Sequence, residues 1–258
     1  MRKPFVAGNW KMHKTLKETE QFFNEFIPMV SSIQKVEIMI APPFTSLECA
    51  IKLTRDTNIK IGAQNMFWET EGAYTGEISA KFLTELGCKY VIIGHSERRK
   101  YFHEKDDWVN KKLHTALVQG LTPIMCIGET FEERETGKTF TVLERQLREG
   151  LKDFSGNNIK KIVIAYEPVW AIGTGKTATP ETAEEAHSFI RDYLRKNFGE
   201  EATKIRILYG GSIKPENISN LFKEPDIDGG LVGGASLSPE SFSKIIKTVE
   251  ELANTKSR

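Results

Sequence analysis

Eight short, β-rich apolar runs recur along the chain at roughly the thirty-residue spacing of a strand–helix–strand crossover. No other feature constrains the fold so strongly. The runs cover residues 5–7, 36–41, 59–63, 90–93, 123–127, 162–166, 205–209 and 227–232. Several are continuously apolar rather than alternating, as expected of parallel strands covered on both faces. Helical patterns fill the gaps. Phe140, Leu143, Leu147, Leu151 and Phe154 fall at steps of three and four, and so do Ala183, Ala186, Ile190, Tyr193 and Leu194, allowing one adjacent pair. Thr179-Pro180-Glu181 supplies a cap, a proline at the first helical position and an acid in the first turn, and Ser238-Pro239-Glu240 repeats that signal. Alternation of this kind demands a parallel sheet. Eight units in 258 residues predict an α/β fold with a closed, parallel, eight-stranded (β/α)8 barrel, formed as one domain over 1–258 with a polar tail from about 254. An open, doubly wound sheet is the main rival.

Charge and cysteine usage remove other classes. Lys plus Arg number 36 and Asp plus Glu 35, so no overall basicity draws the chain to nucleic acid or to an acidic membrane. No apolar stretch approaches the ~18–20 residues that span a bilayer. The N-terminus has only a three-residue apolar run, Phe5 to Ala7, whereas a signal peptide needs about 7–15. Cys49, Cys88 and Cys126 lie far apart, which argues against a disulfide framework or a zinc knuckle and fits the cytoplasm.

In a barrel, chemistry belongs at the C-terminal strand ends. There the sequence places Asn9 and Lys11 after the first run, Gly94-His95-Ser96-Glu97 after the fourth and Glu167-Pro168 after the sixth. Gly210-Gly211-Ser212 follows the seventh and Gly233-Gly234 the eighth. A carboxylate at a strand tip is often only a cap. Glu167 also precedes a long loop whose closure would strip water from it, which favours a general base. His95 stands where a short helix begins, with Ser96 as its candidate cap. The positive end of a helix disfavours an imidazolium, so a neutral imidazole donor is expected. Lys11 is either solvated or, with Asn9, aims a cation and an amide at a substrate oxygen. The paired glycines are tight turns or, on two neighbouring strands, a phosphate cradle built from backbone N–H groups. His13, His103, His114 and His187 read as surface or packing residues, and Cys126 as buried.

Gly173-Thr174-Gly175-Lys176-Thr177 looks like the end of a P-loop, but the first glycine of that motif would fall on Trp170. It also fits a dinucleotide fingerprint, except that six residues separate it from the strand and the helix cap comes later, at Thr179. The plainer reading is a glycine-hinged loop after the sixth strand whose tip, Ala171-Ile172-Gly173, exposes apolar groups that would close over a ligand. A second long connection, residues 65–77, carries Met66-Phe67-Trp68; it either folds back on its own barrel or, as the better reading, forms a protein interface.

Five segments together resemble the triosephosphate isomerase family: Ala7-Gly8-Asn9-Trp10-Lys11-Met12, Gly94-His95-Ser96-Glu97-Arg98-Arg99, the stretch from Ala165 to Gly175, Ile207-Leu208-Tyr209-Gly210-Gly211-Ser212, and Leu231-Val232-Gly233-Gly234-Ala235-Ser236-Leu237. They run in order from the first strand to the last. The resemblance implies a cytoplasmic isomerase of glycolysis and gluconeogenesis that interconverts dihydroxyacetone phosphate and D-glyceraldehyde 3-phosphate through an enediolate, without cofactor or metal. It implies Glu167 as base, His95 as electrophile, Lys11 as the cation beside the substrate, Asn9 as an orienting amide and Glu97 as support. The phosphate would rest on Gly173, Ser212, Gly233 and Gly234, with Asn9 and Lys11 also touching the substrate. The lid would comprise Pro168, Val169, Trp170, Ala171, Ile172, Gly173, Thr174, Gly175 and Lys176. The family forms homodimers, which implies an interface at Thr75, Glu77 and Arg98, the last two as an ion pair between subunits. Rival readings are another phosphate-binding barrel enzyme, such as a biosynthetic phosphosugar isomerase or an aldolase, whose Schiff-base form needs a lysine on a barrel strand, and a non-catalytic phosphometabolite-binding module, which needs the glycine turns but no base.

Overall fold

The computed structural model describes residues 2–171 and 178–256. Among these, eight parallel strands pair in sequence order: β1 (Phe5–Asn9), β2 (Glu37–Ala41), β3 (Ile59–Ala63), β4 (Tyr90–Ile93), β5 (Thr122–Ile127), β6 (Val163–Tyr166), β7 (Ile207–Tyr209) and β8 (Gly229–Val232). β1 also pairs with β8, with Phe5 opposite Gly229 and Gly8 opposite Val232, so the sheet has no edge. The closed barrel rules out the doubly wound sheet. β3 and β4 coincide with their apolar runs. β7 and β8 start later than theirs, because Ile205 ends the 3-10 turn Glu200–Lys204 and because Ile227 and Asp228 lead into β8 while remaining buried.

The strands are apolar on both faces because each face has its own core. Phe5, Ala7, Met39, Ala41, Tyr90, Ile92, Ile124, Cys126, Val163, Ala165, Leu208 and Leu231 fill the barrel interior. The alternate residues, such as Val6, Ile38, Ile40, Val91 and Ile164, pack outward against the helices. Burying each such side chain contributes about 1.5–3 kcal/mol. At the N-terminal end of the barrel, Glu37 accepts hydrogen bonds from Tyr90 and Arg206, and the Arg206 guanidinium lies 4.6 Å over the Phe5 ring. This charged plug closes the end opposite the strand tips.

The helix Pro180–Phe198 starts as its sequence dictates: the Thr179 hydroxyl accepts from the Thr182 N–H at 3.2 Å, and Pro180 occupies the first turn. Ser238 likewise accepts from the Ser241 N–H ahead of Pro239–Lys256. That last helix continues through residues 254–256, which the sequence reads as tail. The helix Thr139–Gly150 stops before Leu151 and Phe154, although both are buried. Asp153 takes a left-handed φ of 64°, which ends the helical path while the apolar spacing persists.

Candidate active site

The C-terminal strand ends open into one cavity of about 850 Å3, lined among others by Asn9, Lys11, His95, Glu97, Glu167, Ser212, Gly233 and Gly234. Each side chain is placed by a local device. Asn9, at the tip of β1, is 5 % exposed and accepts the Lys11 N–H at its Oδ1 (3.0 Å). Its amide oxygen is thus committed to the turn. Lys11 adopts φ 53°, a left-handed conformation that strains a side-chain-bearing residue by about 1–3 kcal/mol. Gln64 steadies the strained turn by donating to the Lys11 and Ala41 carbonyls. The turn sends the ammonium across the rim to Glu97 Oε1 at 2.6 Å. The lysine stem also passes the last glycine turn: a Cβ built on Gly233 would lie 3.6 Å from Lys11 Cε.

His95, not Ser96, caps the helix Ser96–Phe102: its Nδ1 accepts the Glu97 N–H at 3.2 Å, and Ser96 is already helical. The capping role fixes the tautomer. With its Nδ1 lone pair committed, the ring carries its proton on Nε2, 2.8 Å from Glu167 Oε1. The other carboxylate oxygen, Oε2, accepts the Ser96 N–H at 2.9 Å. Glu167 is 2 % exposed and His95 6 %. Burial pushes the Glu167 carboxyl up, but His95, the Ser96 N–H and Lys11 outweigh it and hold the group below the usual carboxylate range. Burial pulls the His95 imidazole down, and the Glu167 charge more than reverses this. A second proton on His95 would have to displace the cap. The resting pair is therefore a carboxylate facing a neutral N–H donor.

The turns after β7 and β8 face this pair. Gly210 is required by close approach, since a Cβ there would meet Glu167 Cγ at 2.9 Å and the Tyr166 carbonyl oxygen at 3.0 Å. Asn217 braces the turn by donating to the Ser212 carbonyl and accepting the Lys214 N–H. Gly173, together with Ile172, Thr174, Gly175, Lys176 and Thr177, lies outside the described residues. Of the remaining loop, Pro168 follows Glu167 and residues 169–171 form a short 3-10 turn. Ala171 is 1 % exposed, so the expected apolar tip is not exposed at this residue.

The sequence reading missed Glu129, which is fully buried two residues beyond β5. It accepts from Tyr166 Oη, Trp170 Nε1 (2.9 Å) and Arg134 Nη1, tying the residue before Glu167 to the start of the following loop. Burial raises its pKa despite these donors. The one available signal was a Gly-Glu pair at a strand end, parallel to Gly94-His95. The 65–77 connection partly folds back. Met66 is buried, Phe67 and Trp68 pack with tilted rings against each other, Phe67 against Tyr74 and Trp68 against Trp108, and Thr115 donates to the Trp68 carbonyl. Thr75 and Glu77 are exposed, while Arg98 pairs within its own chain with Glu104 at 2.7 Å. Cys126 is buried inside the barrel, where desolvation keeps its thiol protonated.

Among the described residues, no three His, Cys, Asp or Glu side chains are grouped to hold a metal ion, and no helix is long and apolar enough to cross a membrane. Barrels of this architecture carry their chemistry at this rim, and a carboxylate, an imidazole and an ammonium sharing one cavity there define an α/β-barrel enzyme that works by proton transfer. Comparison with known proteins narrows the class. A family model described as triosephosphate isomerase matches residues 4–249. Curated triosephosphate isomerases from Dictyoglomus thermophilum and Endomicrobium trichonymphae are 55% and 54% identical, each over 96% of this chain and 100% and 99% of their own. The crystal structure of the Bartonella henselae triosephosphate isomerase superposes with a TM-score of 0.88 at 40% identity, covering 95% of this chain and 98% of the other. The chain belongs to the triosephosphate isomerase family.

Proposed function

We propose that the chain interconverts dihydroxyacetone phosphate and D-glyceraldehyde 3-phosphate, with Glu167 removing the proton next to the carbonyl and returning it to the neighbouring carbon while the hydroxyl proton passes from one substrate oxygen to the other. The observation that carries the assignment here is the buried Glu167 carboxylate, 2.8 Å from His95 Nε2, in the cavity that also holds Lys11. At rest both carboxylate oxygens are occupied, by His95 and by the Ser96 N–H. To reach substrate carbon, Glu167 releases them. Its Nε2–H partner is then free to donate to the oxygen on which enediolate charge develops, and Lys11 supports the same charge. A base alone supplies about 10²–10⁴-fold; the preorganised donors supply the remainder.

Ser212, Gly233 and Gly234, with Gly173, are the proposed phosphate cradle, and Asn9 and Glu97 hold Lys11 in place. Residues 168–176 are proposed as the lid, with binding energy from the phosphate, remote from the reacting carbons, driving its closure. A homodimer is the proposed assembly. Large apolar side chains stand exposed on segments following β1, β3 and β4, among them Met12 at 94 %, Phe82, Tyr101 and Phe102, and such groups favour burial against a partner. Thr75 and Glu77 are proposed to lie in that interface, with Glu77 reaching Arg98 of the other subunit, and the cytoplasm is the proposed compartment. The test is Glu167→Gln in a coupled assay with either triose phosphate. Turnover is expected to fall at least about 10³-fold while inorganic phosphate still binds; near-normal turnover removes Glu167 from the role of base.

A further inference from the structure

Gln146 lies on the helix Thr139–Gly150 beside the buried Val142, Leu143 and Leu147, and is itself 4 % exposed. A buried amide costs free energy unless both its oxygen and its nitrogen find partners. Both do, on a single residue. The Gly128 N–H donates to Gln146 Oε1 at 2.8 Å, and Gln146 Nε2 donates to the Gly128 carbonyl at 3.1 Å. The side chain thus meets Gly128 as the backbone of a neighbouring strand would.

Gly128 needs such a partner because β4 has turned away. β4 and β5 pair as far as Ile93 opposite Met125, after which the chain passes through Gly94 into the helix Ser96–Phe102. β5 runs on with no strand on that side. Arg99 takes up the Cys126 carbonyl there, with Nη2 at 3.4 Å, and Gln146 takes up both backbone groups of Gly128. On the other side the ladder with β6 continues past the strand ends. The Glu167 N–H donates to the Ile127 carbonyl at 2.7 Å and the Val169 N–H to the Glu129 carbonyl at 3.1 Å, which sets Gly128 opposite Glu167. The two backbones touch: a Cβ on Gly128 would fall 1.7 Å from the Glu167 carbonyl oxygen.

We infer that Gln146 is a positioning residue for Glu167: standing in for the missing length of β4, it clamps Gly128, and Gly128 fixes the backbone from which the Glu167 carboxylate swings. The inference rests on the proposed role of Glu167 as base. Neither Gln146 nor Gly128 lines the cavity that holds Lys11, so the amide acts only through the backbone of residues 127–129. A base that leaves its resting partners to reach a carbon needs a fixed pivot. The side chain can move freely only if the main chain beneath it does not, since small errors in the position of a reacting group are costly in rate.

The test compares kcat with KM in Gln146→Met, which keeps the volume and removes both hydrogen bonds. We expect kcat to fall about tenfold and KM to stay within about threefold. Amide hydrogen exchange is expected to quicken at Glu167 as well as at Gly128. Should Gln146→Met fail to fold, Gln146→Asn decides: it retracts the amide by one carbon and leaves room for a water, and the same split with a smaller loss of kcat is expected. Asn110→Ala is the control for stability alone, because Asn110 donates to the Gly150 and Lys152 carbonyls at the end of the same helix and has no contact with Gly128. It should lower the melting temperature and leave kcat at the parent value. Parental kcat in a folded Gln146 variant, an unchanged exchange rate at Glu167, or an equal loss of kcat in Asn110→Ala overturns the inference. Glu167→Gln separates the two claims: full turnover there sinks the base assignment, whereas parental kcat in the Gln146 variants beside an inactive Glu167→Gln sinks the positioning role alone.

Discussion

Glu167→Asp retracts the carboxylate by one carbon–carbon bond, about 1.5 Å. In the parent the two oxygens sit 2.8 Å from His95 Nε2 and 2.9 Å from the Ser96 nitrogen. After the change both gaps open to about 4 Å, beyond hydrogen-bond reach. A misplacement of about 1 Å in a reacting group is worth roughly 10² in rate. The expected kcat is therefore lower by about 10²–10³-fold, whereas KM, set by the proposed phosphate turns, changes by less than about threefold. The shortened carboxylate also loses charge-assisted hydrogen bonds of about 1.5–3 kcal/mol each while it remains buried, so the melting temperature falls as well. Steady-state kinetics in both directions, measured well below the new melting temperature, isolate the catalytic effect. A kcat within fivefold of the parent, with a folded protein, would mean that the carboxylate position does not matter and would refute the reasoning. So would an equal loss in KM and none in kcat.

Lys11→Met removes the ammonium while keeping the stem that passes Gly233; kcat/KM is expected to fall about 10²–10³-fold, and inorganic phosphate should bind more weakly by calorimetry. Gly210→Ala places a methyl group 2.9 Å from Glu167 Cγ, so kcat should drop at least about tenfold with little change in the circular dichroism spectrum. Glu37→Gln should destabilise the barrel at pH 7 by roughly 2 kcal/mol in urea titrations, because Arg206 and Tyr90 lose a charged acceptor. Burial alone would raise the Glu37 pKa, but Arg206 and the Tyr90 hydrogen bond hold it below the ordinary value. Its contribution is therefore full above the unfolded-state pKa and fades as pH falls through the lowered folded value. The stability difference from the parent should shrink in acid below about pH 4.

The sequence exposes the barrel because each strand must satisfy two cores. That makes the runs continuously apolar, and at β3 and β4 it leaves no room to misplace the ends. Where apolar residues serve another purpose, the boundary is lost. Ile205 and Ile227 are buried in connections rather than in β7 or β8, and Leu151 and Phe154 continue a helical spacing after the helix has ended. Lys11, His95 and Glu167 are legible because a polar residue at the tip of an apolar strand stands out. Glu129 is not, because its role depends on Tyr166 and Trp170 converging on it from a different strand and loop. The capping of Ser96–Phe102 by His95 itself is hidden for a different reason: histidine is uncommon as a cap, and the serine beside it fits the usual preference.

The same contacts that make Glu167 easy to locate make it a weak base where it rests. Burial favours its protonated form, and His95, Ser96 and Lys11 together reverse that preference. If Glu167 moves toward a substrate carbon, it leaves two hydrogen-bond donors and stays within a dry site. The balance then tips to burial, and its proton affinity rises at the moment a proton is to be taken. The arrangement also frees the His95 N–H at the same step, since donor and base are each other's resting partner. In the proposed mechanism base strength and electrophile therefore become available together, and neither is exposed to solvent in the waiting state: Glu167 is 2 % exposed and His95 6 %. An enzyme built this way has little use for a carboxylate whose pKa is high in the empty site. In the proposed roles, its low resting pKa follows from storing the base against the electrophile it will need.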